Sequence, residues 1–141
     1  AKEAGALRYL DVNWRPVFWN LAEDAQSSYE ELARQRIMSF AETADVVKLT
    51  DDEAEWLFGI SGEDALRDPS SVAKHFPSAE AVLVTAGAKG AAYSIGGHEG
   101  AVPVFGSCKI VETTGAGDAF SAGFIAKCVQ MVSNARSKRV G

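Results

Sequence analysis

The sequence predicts an α/β fold in which a mostly parallel sheet carries helices and ends in an antiparallel edge. Three observations lead there. Short apolar runs at residues 7–12, 45–49 and 81–85 lack clean polar and apolar alternation, as strands covered on both faces do. Helical segments separate them in the order strand, helix, strand, helix, strand, the rhythm of a sheet built by crossovers. Beyond residue 90 the rhythm changes to two strands joined by a turn at Gly96 and Gly97.

Each element follows from its residues. "LRYLDV" at 7–12 reads as a buried strand, and "NWRP" ends it because Pro16 restricts Arg15 and removes an amide donor. Around residues 24–43, Leu21, Ala25, Tyr29, Leu32, Ile37, Phe40 and Ala44 recur every three or four positions, which gives a helix one apolar face. "DVVKL" at 45–49 predicts a strand, and "DDEAEWLFG" at 51–59 a short helix closed by Gly59. A polar, Pro- and Ser-containing stretch at 61–71 then leads to a brief helix near "SVAKHF" and to the strand "AVLVT" at 81–85. "GAAYSIGGHEGAVPVF" supplies the antiparallel edge, and "CKIVE" at 108–112 another extended piece. Phe120, Phe124, Ile125, Cys128, Val129 and Val132 fall at helical spacing in the last segment.

Composition bounds the function. At 141 residues, 47% hydrophobic and 23% charged, the chain has the make-up of one ordinary globular domain able to bury a core. A net charge of −5 argues against a nucleic-acid binder, since such footprints are basic. Arg136, Lys138 and Arg139 form the only basic cluster and read as a solvated tail. Cys108 and Cys128 are too few for a disulfide framework and have no metal-ligand spacing, which suits a reducing compartment. No window of about 20 apolar residues predicts a membrane span. The chain starts almost directly on a buried-looking strand, which points to a fragment of a larger domain.

The stretch "TTGAGDAF" at 113–120 carries the chemistry. Glycine costs up to about 1 kcal/mol against alanine inside a helix, so two of them at a helix start need another reason. The first amides of a helix have no intrahelical acceptor and sit at the positive end of its dipole. Glycines there let an anion such as phosphate approach the backbone with no Cβ in the way. Asp118 is then suited to accept a proton from a hydroxyl, because phosphoryl transfer rests on positioning and charge neutralisation with one residue attending to the nucleophile. The simpler alternative is that Thr114 caps the helix and Asp118 complements its dipole.

"VETTGAGDAFSAGF" closely resembles the C-terminal signature of the ribokinase-like (pfkB) carbohydrate kinases. The resemblance implies a ribokinase-like three-layer α/β/α fold, of which residues 1–141 would be the C-terminal half as a single incomplete domain. It makes Asp118 the catalytic base and Gly115, Ala116 and Gly117 the anion hole for the transition state, with Thr114 beside the nucleotide.

Three further segments resemble the family. "KLTDDEAEWLFG" at 48–59 is similar to an Asn-x-x-Glu segment that organises magnesium and its waters; Glu53 matches the glutamate, while Thr50 stands where many members have asparagine. Thr50-x-x-Glu53 is equally a capping box, which needs no metal. "VTAGAKGAAY" resembles the family's turn beside the nucleotide phosphates, with Thr85, Gly87 and Gly90 matching; a plain strand-to-strand turn also uses two glycines. "DVNWRPVFW" at 11–19 is similar to a segment of fructokinases and 2-keto-3-deoxygluconate kinases, which gives Asn13 and Arg15 to the substrate. There Asp11 and Asn13 could equally just end a strand, and Trp14 and Trp19 read as packing residues. Glu112 replaces an aspartate of a monovalent-cation loop, so that cation is an open expectation. His75 and His98 read as surface residues without chemistry.

The implied activity is ATP- and magnesium-dependent phosphorylation of a sugar hydroxyl, fructose first and 2-keto-3-deoxygluconate second. Half of such an enzyme would be feeble or inactive alone, since both substrates must be held in line. A catalytically silent scaffold relative and a generic nucleotide binder are the competing expectations. Expected partners are the sugar and ATP, with neither nucleic acid nor membrane; a homodimer of the full-length parent is allowed. The expected location is the cytoplasm or a plastid stroma.

Overall fold

The computed structural model describes residues 4–18, 26–106 and 113–137. The chain divides into two units, Ala1–Phe105 and Gly106–Gly141. In the first unit, β1 (Tyr9–Asp11) leads through a 3₁₀ turn (Pro16–Phe18) to α1 (Gln26–Ala41) and then to β2 (Val46–Thr50). Three helices follow, α2 (Asp51–Phe58), α3 (Gly62–Arg67) and α4 (Pro69–Ala73), before β3 (Ala81–Thr85). A 3₁₀ turn (Gly87–Lys89) joins β3 to the hairpin of β4 (Ala91–Ile95) and β5 (His98–Val102).

The five strands form one sheet in chain order, β1-β2-β3-β4-β5. β1, β2 and β3 are parallel, and β4 and β5 add antiparallel at one edge. The mixed sheet agrees with the sequence expectation, including the hairpin turn at Gly96 and Gly97. Parallel strands laid side by side in one direction put their right-handed crossovers on one face. That face is carried by Val47, Leu49, Val82 and Val84, against which Ala41, Ala54, Ala65, Val72 and Phe76 pack from the connecting segments. Val46, Ala81 and Leu83 alternate to the other face and are buried too, which is why these strands read as continuous apolar runs.

Local chemistry sets the ends of the elements. Thr50 caps α2 and Gly59, at φ 67°, closes it in the left-handed conformation. The polar stretch at 61–71 contains a helix that the sequence reading did not expect, α3, and the brief helix expected near "SVAKHF" is present as α4, beginning two residues earlier at Pro69. Ser61 caps α3, and Asp68 ends α3 while capping α4, with Pro69 in the first turn of the second helix. The Ser61 cap makes a short helix of a polar stretch with no apolar periodicity. At the start of β2, Asp45 accepts the Arg8 amide at 2.8 Å and both ends of the Arg8 guanidinium at 3.0 and 2.6 Å, tying the β1 and β2 entries together.

The ring of His75, expected at the surface, is half-buried and stacks on Phe58 with centroids 4.1 Å apart. Burial, with the charge of Lys74, lowers its pKa below the ordinary 6.5. The unfolded chain therefore takes up this proton more readily, so the contribution is full above that value and is lost as pH falls through the depressed pKa. Thermal midpoints measured across that acid window should fall for the wild type and fall less for His75→Phe.

In the second unit, Thr114 and Gly115 form a turn into α5 (Ala116–Ser137). Helix and apolar spacing agree with the sequence, although the helix opens two residues before Asp118. Trp19, Cys108, Glu112, Lys138 and Arg139 lie outside the described residues, as does the extended piece expected at 108–112. Among the described residues no helix is long and apolar enough to cross a membrane.

Candidate active site

The carboxyl ends of β1, β2 and β3 share one edge of the sheet, the place where open α/β sheets bind ligands. Thr50 and Thr85, the last residues of β2 and β3, are register partners there. Asn13 and Arg15 follow β1 at the same edge, Glu53 sits in the first turn of α2, and Gly87 and Gly90 flank the turn after β3. The fold thus brings six of the sequence-selected residues (Asn13, Arg15, Glu53, Thr85, Gly87 and Gly90) to one end of the parallel strands.

Glu53 is the most constrained of them. It is 5% exposed, and its two carboxylate oxygens each accept a main-chain N–H: Oε1 from Trp14 at 2.6 Å and Oε2 from Thr50 at 2.8 Å. The Thr50 hydroxyl accepts the Glu53 amide in return at 3.1 Å, so the capping box is present in full. The bond to Trp14 is tertiary and holds the segment after β1. Asn13 adopts φ 45°, the only non-glycine at positive φ among the described residues. That conformation costs about 1 kcal/mol, which a charge-assisted bond of about 1.5–3 kcal/mol from the next residue offsets.

Each Glu53 oxygen retains one lone pair after these bonds. This suits contact with a metal-bound water rather than direct ligation, and no cluster of three or more acidic, His or Cys side chains among the described residues could cage a metal alone. A magnesium ion held mainly by phosphate oxygens and water fits such a donor set.

The two glycines after β3 differ. Gly87, at φ 50°, has nothing within 4 Å of an added Cβ, so its bare face is open to a ligand. Gly90, at φ 95°, would place a Cβ 2.3 Å from the Val102 carbonyl oxygen, so its bareness is also demanded by chain packing. Lys89 between them lies 3.8 Å from Asp51 at the start of α2. Under the sheet edge, Lys48 is 4% exposed and reaches both Asp11 carboxylate oxygens at 3.0 Å, so Asp11 serves as the partner of a buried cation.

The second unit holds the remaining residues. Gly115 has φ 79° and open space where a Cβ would stand. Its carbonyl accepts the first intrahelical bond, from Ala119 at 2.9 Å, while the Ala116 amide donates to Thr113 at 3.1 Å. Asp118 is exposed in the first turn of α5. The junction is an accessible helix start with a carboxylate at its third position.

Sequence reasoning missed Trp56. Its ring stacks on Trp14 with centroids 4.3 Å apart and planes 7° from parallel, and the Arg34 guanidinium covers its other side at 4.7 Å. The available signal was the spacing of Glu53 and Trp56, three apart and therefore on one helix face.

The first unit is of the α/β class, with a glycine turn after β3 at the carboxyl ends of its parallel strands, and the second unit opens a helix directly after Gly115. Comparison with known proteins gives the particular family. Residues 4–141 match the pfkB family carbohydrate kinase profile, and the chain belongs to that family. It is 36% identical over 139 residues to fructokinase-1 of Oryza sativa subsp. japonica, covering 99% of this chain and 39% of the rice protein. It is 37% identical over 144 residues to fructokinase-2 of Solanum habrochaites, covering 99% of this chain and 40% of that relative. Among solved structures, fructokinase with bound ATP from Xylella fastidiosa superposes with a TM-score of 0.71 at 27% identity, over 92% of this chain and 37% of that one. The pfkB protein from Polaromonas sp. JS666 gives 0.69 at 30% identity over the same shares. The chain thus spans about two fifths of the length of the curated relatives.

Proposed function

We propose that the full-length protein carrying this chain transfers the γ-phosphoryl group of ATP to a sugar hydroxyl, with fructose as the substrate. The observation that carries this reading is the open junction at Gly115, where bare backbone and the first amides of α5 stand next to the Asp118 carboxylate. The names of the rice and Solanum relatives support fructose, and the ATP-bound Xylella structure supports the donor.

In this reading the Asp118 carboxylate takes the proton from the sugar hydroxyl as that oxygen attacks the γ-phosphorus, whose bond to the β,γ-bridging oxygen breaks so that ADP leaves. The amides of Gly115, Ala116 and Gly117 receive the charge that builds on the transferring group, at the positive end of the α5 dipole. Ala116 would exchange its Thr113 partner for a phosphoryl oxygen. Thr85, Gly87, Gly90 and Thr114 line the nucleotide phosphates, and Asn13 and Arg15 orient the sugar. Glu53 would hold magnesium through water, and the ion would supply positive charge to neutralise the phosphates. A monovalent cation near Glu112, a homodimer, and a cytoplasmic or stromal address belong to the same reading; one similar relative, from Arabidopsis thaliana, is named chloroplastic.

The test is a kcat/KM comparison of fructose and 2-keto-3-deoxygluconate with magnesium-ATP. Higher values for fructose are expected; preference for the keto acid reassigns the substrate, and ATP binding without turnover of either favours a generic nucleotide binder.

A further inference from the structure

Helix α2 grips the residue between the two proposed sugar contacts. Glu53 accepts the Trp14 amide, and Trp56, one turn later on the same helix face, stacks on the Trp14 ring. Arg34 of α1 backs the stack and reaches the Leu57 carbonyl at 3.4 Å, so both helices hold the clamp. Asn13 on one side of Trp14 is in the left-handed region, and both Asn13 and Arg15 are exposed while Trp14 is half-buried. Backbone and ring of the middle residue are thus fixed, and its two neighbours are presented.

We propose that Trp56 is a positioning residue for sugar recognition: by stacking on Trp14 it sets the direction in which Asn13 and Arg15 face the acceptor. The inference rests on the sugar-kinase reading above. It concerns the acceptor side alone, since the proposed nucleotide contacts are Thr85 at the end of β3, Gly87 and Gly90 beside the turn after it, and Thr114 ahead of α5. The Trp56 indole N–H is buried and has no hydrogen-bond partner among the described residues, so the ring face is what matters. Phenylalanine should therefore replace it, and alanine should not.

The experiment uses the full-length protein and two readouts. Stacked indoles couple their transitions, so the wild type should show a far-ultraviolet circular-dichroism couplet that both Trp56→Ala and Trp56→Phe remove. In steady-state kinetics, Trp56→Ala should raise the fructose KM by about tenfold or more and leave the ATP KM unchanged, because small displacements of positioning groups cost large factors. Trp56→Phe should restore the fructose KM. Trp14→Ala, which removes the other ring from a half-buried site outside the helix, should show the same split and serves if Trp56→Ala folds poorly. An unchanged fructose KM in both alanine variants, or equal rises in both KM values, overturns the proposal. A wild type that binds ATP but phosphorylates no sugar overturns the functional reading instead, and the couplet still reports whether the clamp exists.

Discussion

Asp118→Asn is expected to lower kcat for sugar phosphorylation by the full-length protein by about 10²–10⁴-fold, the range associated with a positioned general base. Asparagine keeps the shape and the hydrogen-bonding oxygen but cannot take the proton. Because Asp118 is exposed in the first turn of α5, the exchange removes no buried contact and costs at most the modest dipole term of about 0.3–1 kcal/mol. KM for ATP should stay close to the wild type, since the amides of the junction are main-chain groups. Steady-state kinetics beside a thermal melt separate the two effects. If kcat persists within a few-fold, Asp118 only complements the helix dipole.

Gly90→Ala should be the most damaging substitution in the turn after β3, and Gly87→Ala a mild one. At φ 95° and ψ −145°, Gly90 occupies a region nearly closed to other residues, and its new Cβ would meet the Val102 oxygen at 2.3 Å. The backbone strain alone is about 1–3 kcal/mol, and the collision must also push β5 away from the turn. Gly87 has open space around it, so alanine there meets only the left-handed penalty of about 1–2 kcal/mol. The thermal midpoint should therefore drop much further for Gly90→Ala. If Gly87 lies against the nucleotide as proposed, the KM for ATP should rise for Gly87→Ala, whose methyl group would fill that open space. Equal melting losses would refute the packing role assigned to Gly90, and an unchanged ATP KM in Gly87→Ala would refute its role at the nucleotide.

What the sequence made legible was local. The buried runs of β2 and β3 contain apolar residues on both faces, and that pattern announces a covered parallel strand. The capping box of Thr50 and Glu53 is written within four residues. The glycine-initiated α5 is written as plainly, because propensity disfavours those glycines. The cap at Ser61 is also local, yet a polar composition hid α3 from a reading based on apolar periodicity. Contacts across the chain were not legible. The second bond of Glu53 goes to Trp14, the ring of Trp14 lies on Trp56, and the obstacle facing Gly90 is a carbonyl on β5. Each depends on where strands bring distant segments, which no spacing rule encodes. Lys48 shows the same limit: a lysine in an apolar run is tolerated because Asp11 on the neighbouring strand accepts it.

The most direct measurement is the fate of the terminal phosphate of labelled magnesium-ATP when the full-length protein is incubated with fructose. Label should appear on the sugar, at a rate that depends on fructose concentration and collapses in Asp118→Asn. Label that stays on ATP, or reaches only water at the same rate with and without sugar, would contradict the sugar-kinase reading.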